Sequence, residues 1–144
     1  MVRQAKYDDL DTLLHLYLDL HEEAVPEMSQ HLQETWNAIL DDPNHFILLN
    51  EAEGTVVSSC VCVIIPNLTR GIRPYAFVEN VVTRKAYRKK GYATQCLEYA
   101  KEIALRHNCY KMMLLTGSKD PQTLSFYSQA GYNCSDKTAF IQWL

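Results

Sequence analysis

An apolar run, Tyr75 to Val82, leads into Arg84-Lys85-Ala86-Tyr87-Arg88-Lys89-Lys90-Gly91-Tyr92-Ala93-Thr94, and a helical pattern from Ala93 to His107 leads out. A strand, a basic loop with one glycine and a helix N-terminus therefore follow one another. A second short apolar run, Tyr110 to Thr116, comes next. Strand, helix 92–107 and strand 110–116 form a right-handed crossover, which sets the two strands side by side in parallel. This unit commits the chain to layers of helix on sheet. It also gathers positive charge and free backbone N–H groups at one point, as a protein needs to hold a diphosphate.

The remaining segments fill out a mixed sheet. Val2–Ala5 reads as a short strand. Asp8 occupies an N-cap position before a helix over 9–22, whose apolar side is Leu10, Leu13, Leu14, Tyr17 and Leu18. Ser29 to Leu40 reads as a second helix with Leu32, Trp36, Ile39 and Leu40 on one side. Phe46–Asn50, a turn at Glu51–Gly54 and Thr55–Ile65 form a hairpin. The second of these strands is apolar on both faces and belongs in the middle of the sheet. In strand Tyr75–Thr83 the alternation falters at Glu79-Asn80 and resumes at Val81-Val82, which predicts a bulge, a device that re-aims side chains beside a site. Strand 110–116 reads as buried on both faces. Asp120-Pro121 opens a last helix that Gly131 closes. Tyr132 to Leu144 reads as one or two final strands. The expected fold is a single domain over 1–144, of class α/β (α+β mixed sheet). Its central sheet is mostly antiparallel with one parallel strand pair, and helices cover both faces.

The whole chain carries a net charge of −3, so the basic cluster stands against an acidic background and suits a small anion better than a long nucleic acid. Only Tyr87 within the basic run is placed to stack on a base, and we expect no nucleic-acid partner. Five scattered cysteines, with no zinc spacing, read as small core residues of a reducing, cytoplasmic protein with no metal. No apolar run is long enough to span a bilayer, and no signal-peptide core follows Met1; no membrane association is expected.

The loop carries neither the P-loop nor the dinucleotide fingerprint of glycines. What remains is Arg88-x-x-Gly91-x-Ala93 at a strand-to-helix junction. On charge and one glycine alone, an anion cradle and a solvated basic turn stand level. Further on lies Phe126-Tyr127-Ser128-Gln129-Ala130-Gly131-Tyr132. These two motifs, in this order and with these elements between them, resemble the GNAT superfamily of N-acetyltransferases. The likeness is strongest from Tyr75 to Tyr132, and nearest to the glucosamine-6-phosphate N-acetyltransferase branch.

The resemblance implies acetyl-CoA as co-substrate. It implies that Arg88, Lys89, Lys90, Gly91, Tyr92, Ala93 and Thr94 hold the pyrophosphate. It further implies that the pantetheine arm lies along Val81, Val82 and Thr83 like an added strand. Thr123 stands where the family often has a coenzyme-binding Asn. Tyr127 matches the tyrosine that faces the thioester sulfur and protonates the leaving thiolate; without the likeness it reads as a core aromatic beside Phe126. Glu79 matches a carboxylate that some members use as a base on the incoming ammonium, which burial would favour; a substrate ligand is the other reading. Arg70 and Arg73, with Tyr75, are candidates for an acceptor's phosphate or carboxylate, or are solvated loop residues. The expected reaction acetylates a primary amine of a small molecule by direct attack in a ternary complex. A protein lysine or N-terminus, or a non-catalytic CoA-binding module, are the alternatives. Phe140-Ile141-Gln142-Trp143-Leu144 either completes the core or forms a homodimer through the final strands.

Overall fold

A computed structural model describes residues 1–144, and its centre is the strand that is apolar on both faces. The strands are β1 (Val2–Gln4), β2 (His45–Ala52), β3 (Thr55–Ile65), β4 (Tyr75–Thr83) and β5 (Met112–Leu114). They pair in the order β1-β2-β3-β4-β5, so β3 is third of five. The first three pairings are antiparallel. β4 and β5 are parallel, with Ala76, Phe77 and Val78 opposite Met112, Met113 and Leu114. The hairpin turn is confined to Glu53 and Gly54, at φ 53° and 75°.

The helices are α1 (Leu10–Tyr17), α2 (Gln30–Asp41), α3 (Tyr92–Arg106) and α4 (Pro121–Gln129). They cover both faces, as the alternation of buried strand residues requires. On one face Cys96, Leu97, Ala100, Ile103 and Ala104 of α3 bury against Leu48, Cys60, Cys62, Ile64, Ala76 and Val78. Phe126 and Tyr127 of α4 pack on the same cluster. On the other face Leu10, Leu13 and Leu16 of α1 and Trp36 of α2 bury against Ile47, Leu49, Val56, Val61 and Val82. No helix is long and apolar enough to cross a membrane.

Four expectations need correction. The helix predicted over 9–22 ends at Tyr17. There the carbonyls of Leu16 and Tyr17 take the N–H groups of Asp19 and Leu20, the i−3 bonding that tightens and stops a helix. Asp9 rather than Asp8 organises its start: the Asp9 carboxylate accepts the Lys6 N–H at 2.7 Å and is gripped by the Arg3 guanidinium at 2.7 and 2.8 Å, while Asp8 is exposed. The strand predicted over 110–116 shortens to Met112–Leu114 and is only half-buried, because it is the sheet's edge and has no neighbour on its outer side. The final strands predicted over 132–144 do not form. The residues after Tyr132 make no backbone-to-backbone hydrogen bond, and Phe140, Ile141 and Trp143 are exposed instead of completing the core.

Candidate active site

β4 bulges where its apolar alternation breaks. On β3, Val61 faces Glu79 and Ser59 faces Val82, so Asn80 and Val81 together stand opposite Cys60 alone. Asn80 takes φ 50°, the left-handed region that asparagine tolerates better than most residues. β5 pairs with β4 only as far as Val78. From Glu79 to Thr83 the β5 side of β4 therefore carries no strand, and a wedge opens between the two. An extended ligand bearing amides fits such an edge by strand addition.

At the wide end of the wedge, β4 runs into the basic turn. Lys89 and Gly91 have φ 61° and 84°, two left-handed residues that curl the backbone into a concavity. Gly91 is the N-cap of α3 and offers no side-chain cap. The first intrahelical bond runs from the Gln95 N–H to the Gly91 carbonyl at 3.0 Å, which leaves the N–H groups of Tyr92, Ala93 and Thr94 without a protein acceptor. These donors, at the positive end of a helix of 15 residues, suit an anion. A Cβ added at Gly91 meets nothing within 4 Å, so the glycine is needed for its backbone angle and not for space. The Lys90 ammonium stands 5.2 Å from the centre of the Tyr87 ring, which packs edge-on to Tyr92.

Arg88 has two protein partners. Its Nε donates to the Thr83 carbonyl and its Nη2 to the Asp19 carbonyl, each at 3.1 Å. The guanidinium thus ties the end of β4 to the turn that follows α1. The Thr83 hydroxyl shares a hydrogen bond of 2.8 Å with Ser58, whose Oγ also lies 2.7 Å from the Val82 carbonyl.

Tyr127 reaches the site from α4. The Asp120 carboxylate caps that helix by accepting the Gln122 N–H at 2.9 Å, and Pro121 fills its first position. Thr123 lies one turn before Tyr127 on the same face. The phenol is half-buried and packs against Phe126 (ring centres 4.9 Å apart) and edge-on to Tyr132 (6.4 Å). Burial pushes its pKa up, and the Cys60 thiol and Glu79 carboxylate push in the same direction. The phenol therefore stays protonated at neutral pH, as a donor must. Glu79 is close enough to act on it electrostatically. Glu79 itself is exposed, not desolvated as the sequence suggested, because the bulge turns this stretch outward.

Arg70, Arg73 and Tyr75 lie elsewhere. Tyr75 begins β4, four residues before Glu79, a separation of ~13 Å along an extended strand. Arg73 donates to the carbonyls of Asn108 (3.1 Å) and Cys109 (3.0 Å) and so closes the turn between α3 and β5. Arg70 stacks over Tyr110 at 5.8 Å, and Tyr110 meets Tyr75 edge-on. These three form a patch around the closed end of the wedge.

Two supporting residues escaped the sequence reading. Asn50 is fully buried, and its amide donates to the Tyr92 carbonyl (3.0 Å) and to Gln95 Oε1 (2.7 Å), anchoring the first turn of α3. A polar residue directly after the apolar Phe46–Leu49 was the available signal. Tyr17, placed on the apolar stripe of α1, is largely buried beside Asn80; burial raises its pKa to about 12 against the opposing pull of the Asn80 side chain.

A family model described as "Acetyltransferase (GNAT) family" matches residues 10–132. A solved structure, a putative acetyltransferase from Agrobacterium tumefaciens str. C58, is 38% identical, with 99% of both chains covered and a TM-score of 0.91. Glucosamine 6-phosphate N-acetyltransferase of Trypanosoma brucei brucei is 29% identical over 91 residues, 63% of this chain. The match spans 60% of that relative's length. The crystal structure of glucosamine-6-phosphate N-acetyltransferase from Arabidopsis thaliana has the same fold at 18% identity, with a TM-score of 0.86 over 100% of this chain and 97% of that one.

Proposed function

The chain belongs to the GNAT acetyltransferase family, and on that premise we propose that it transfers the acetyl group of acetyl-CoA directly to the primary amine of a small molecule within a ternary complex. What supports this reading is the unpaired edge of β4 beyond Val78, which runs into free N–H donors at the start of α3, together with a Tyr127 phenol close enough to Glu79 on that strand to respond to its charge.

In this reading the N–H groups of Tyr92, Ala93 and Thr94, with the backbone of Lys89, Lys90 and Gly91, hold the two phosphates. Val81, Val82 and Thr83 lend main-chain groups to the pantetheine amides, and Thr123 flanks the thiol end. Glu79 receives a proton from the acceptor ammonium, directly or through water, since only the free amine has a lone pair to attack the acetyl carbonyl. The new C–N bond forms as the C–S bond breaks. Tyr127 donates its phenolic proton to the departing thiolate; the second proton of the nitrogen, lost as the amide forms, restores the phenol through solvent, and Glu79 releases the first to solvent. Burial raises the pKa of a phenol and of a thiol alike, so donor and acceptor stay matched in the half-buried wedge.

Direct transfer fits the cysteines better than an acyl-enzyme. Cys60, Cys62, Cys96 and Cys109 are buried, and Cys134 lies beyond Tyr132 in the exposed tail. Burial pushes the Cys62 thiol up to about 12, which leaves it protonated and unreactive.

The test is thiol release from acetyl-CoA across a panel of amino sugars, other small amines and peptides. Turnover on a small amine, with kcat reduced ~100-fold or more in Tyr127→Phe while CoA binding holds, is the expected result. Turnover on peptides alone, or CoA binding with no thiol release on any amine, refutes the reading. In Glu79→Gln the rate deficit is expected to be largest at low pH, where most amine arrives protonated. An unchanged pH–rate profile removes Glu79 as the base.

A further inference from the structure

The bulged stretch of β4 is held less firmly than the rest of the strand. On the β3 side the regular register stops at Glu79, opposite Val61, and resumes at Val82, opposite Ser59. On the β5 side no strand pairs beyond Val78. Asn80 sits in this gap at φ 50°. A residue with a Cβ keeps a left-handed angle only where its surroundings impose it. A bond from its short polar side chain helps an asparagine to do so. A polar side chain that the protein sets beside Asn80 is the Tyr17 phenol.

Tyr17 is firmly placed. It is the last residue of α1, and its carbonyl accepts the N–H groups of Leu20 at 2.9 Å and Glu22 at 3.4 Å. Its ring packs on the cluster that holds Leu13, Leu16, Val61 and Val82, whereas Tyr127 packs on the cluster of the opposite face. The Cys60 thiol, which alone stands across from the bulge, acts electrostatically on both phenols. The two tyrosines thus flank the bulge from the two sides of the sheet. Two residues past Tyr17, the Asp19 carbonyl accepts from Arg88, which also holds the Thr83 carbonyl. The end of α1 therefore meets the open edge of β4 twice, at Asn80 through Tyr17 and at Thr83 through Arg88. Burial raises the Tyr17 phenol to about 12, so near neutral pH it is no base and serves as a neutral hydrogen-bonding group.

We propose that Tyr17 is a positioning residue for acetyl transfer, its hydroxyl bracing the Asn80 side chain so that the bulge keeps its left-handed turn. The inference rests on the acetyl-transfer reading of the site. The braced turn holds Glu79 outward, toward the acceptor, and keeps the main chain of Val81 to Thr83 in line along the wedge. Relaxed to an ordinary extended angle, Asn80 would re-aim both. The ring of Tyr17 does the packing and the hydroxyl does the bracing, so Tyr17→Phe removes the second and leaves the first.

The test is a double-mutant cycle of Tyr17→Phe and Asn80→Gly. Glycine takes the left-handed angle without a brace and offers no side chain to hold. Tyr17→Phe alone is expected to lower kcat/KM for the best amine ~10-fold, chiefly through kcat, and to leave the CoA Kd within about threefold. In the Asn80→Gly background the same change is expected to cost less than about twofold. The urea midpoint of ligand-free protein gives a second cycle that needs no activity. Tyr17→Phe is expected to lower it in the parent and not in the Asn80→Gly background. Equal losses in both backgrounds, by either measurement, show that Tyr17 does not act through Asn80 and overturn the proposal. A coupled urea midpoint with kcat/KM unchanged makes the contact structural only and overturns it too. A rise in acceptor KM alone, present in both backgrounds, makes Tyr17 a substrate ligand and overturns it as well. A parent that binds CoA yet releases no thiol on any amine removes the acetyl-transfer reading and this role with it, and the urea cycle then still reports whether the two side chains are coupled.

Discussion

Replacing Gly91 separates two reasons for a glycine in the basic turn between β4 and α3. The space around its Cα is open to 4 Å, so side-chain volume alone costs the ligand-free protein nothing. The backbone, at φ 84° and ψ 0°, is left-handed, which costs a residue with a Cβ about 1–2 kcal/mol, asparagine less because its short polar side chain bonds locally. Gly91→Ala is therefore expected to lose ~1–2 kcal/mol, a fall of roughly 3–8 °C in Tm for a chain of this length. Gly91→Asn, with the larger side chain, is expected to lose less. If the alanine variant relieves its strain by rotating φ, the N–H groups of the turn swing off the anion. The same free energy then emerges as a weaker coenzyme Kd, up to ~30-fold for 2 kcal/mol. Calorimetric melting of ligand-free protein and titration with CoA read the two effects separately. A Gly91→Asn variant that melts below Gly91→Ala would refute the conformational argument in favour of a steric one. Two variants that melt with the parent and also bind CoA with the parent's Kd would show that the turn bears no strain at all.

Arg88→Ala removes the hydrogen bonds to the Thr83 and Asp19 carbonyls. It is expected to raise the acceptor KM several-fold by loosening the turn after α1, with the CoA Kd changed less than threefold; the reverse pattern in steady-state and binding data would make Arg88 a phosphate ligand. Asn50→Ala removes two hydrogen bonds that hold the first turn of α3, to the Tyr92 carbonyl and to Gln95 Oε1, and is expected to cost ~1–3 kcal/mol in denaturant titration and to weaken CoA binding through the start of α3. Asp9 has its pKa lowered, chiefly by its hydrogen bonds to Arg3. A folded pKa below the unfolded value gives stability that is present above about pH 4 and is lost as pH falls through the folded pKa. Arg3→Met is accordingly expected to lower the urea midpoint near neutral pH, with the gap to the parent closing below about pH 4; a constant gap would remove the ion pair as the cause.

The parts of this molecule that were legible in the sequence are those in which a residue's fate depends on its own element. The stripe Cys96, Leu97, Ala100, Ile103 and Ala104 repeats at helical spacing because one face of α3 must leave water, and the two apolar faces of β3 follow from its having neighbours on both sides. The break at Glu79-Asn80 was readable as a bulge because alternation is a property of one strand, and the asparagine there accepts the left-handed angle the bulge imposes. Arg88 obeys a different logic. A basic residue in a basic loop resembles an anion ligand, yet its partner is a carbonyl 69 positions away, freed because α1 stops at Tyr17. Arg73 likewise answers carbonyls 35 and 36 positions on. Asn50 reaches the Tyr92 carbonyl and Gln95, 42 and 45 positions on, and ties the start of α3 to β2. The carbonyls that Arg88 and Arg73 answer lie where an element has ended and the backbone no longer supplies a donor, and in all three cases the partner is distant in the chain. The tail after Tyr132 depends in the same way on something beyond its own residues. The alternation at Phe140–Trp143 declares a strand, but a strand exists only beside another edge, and no pattern within one sequence says which edge that is.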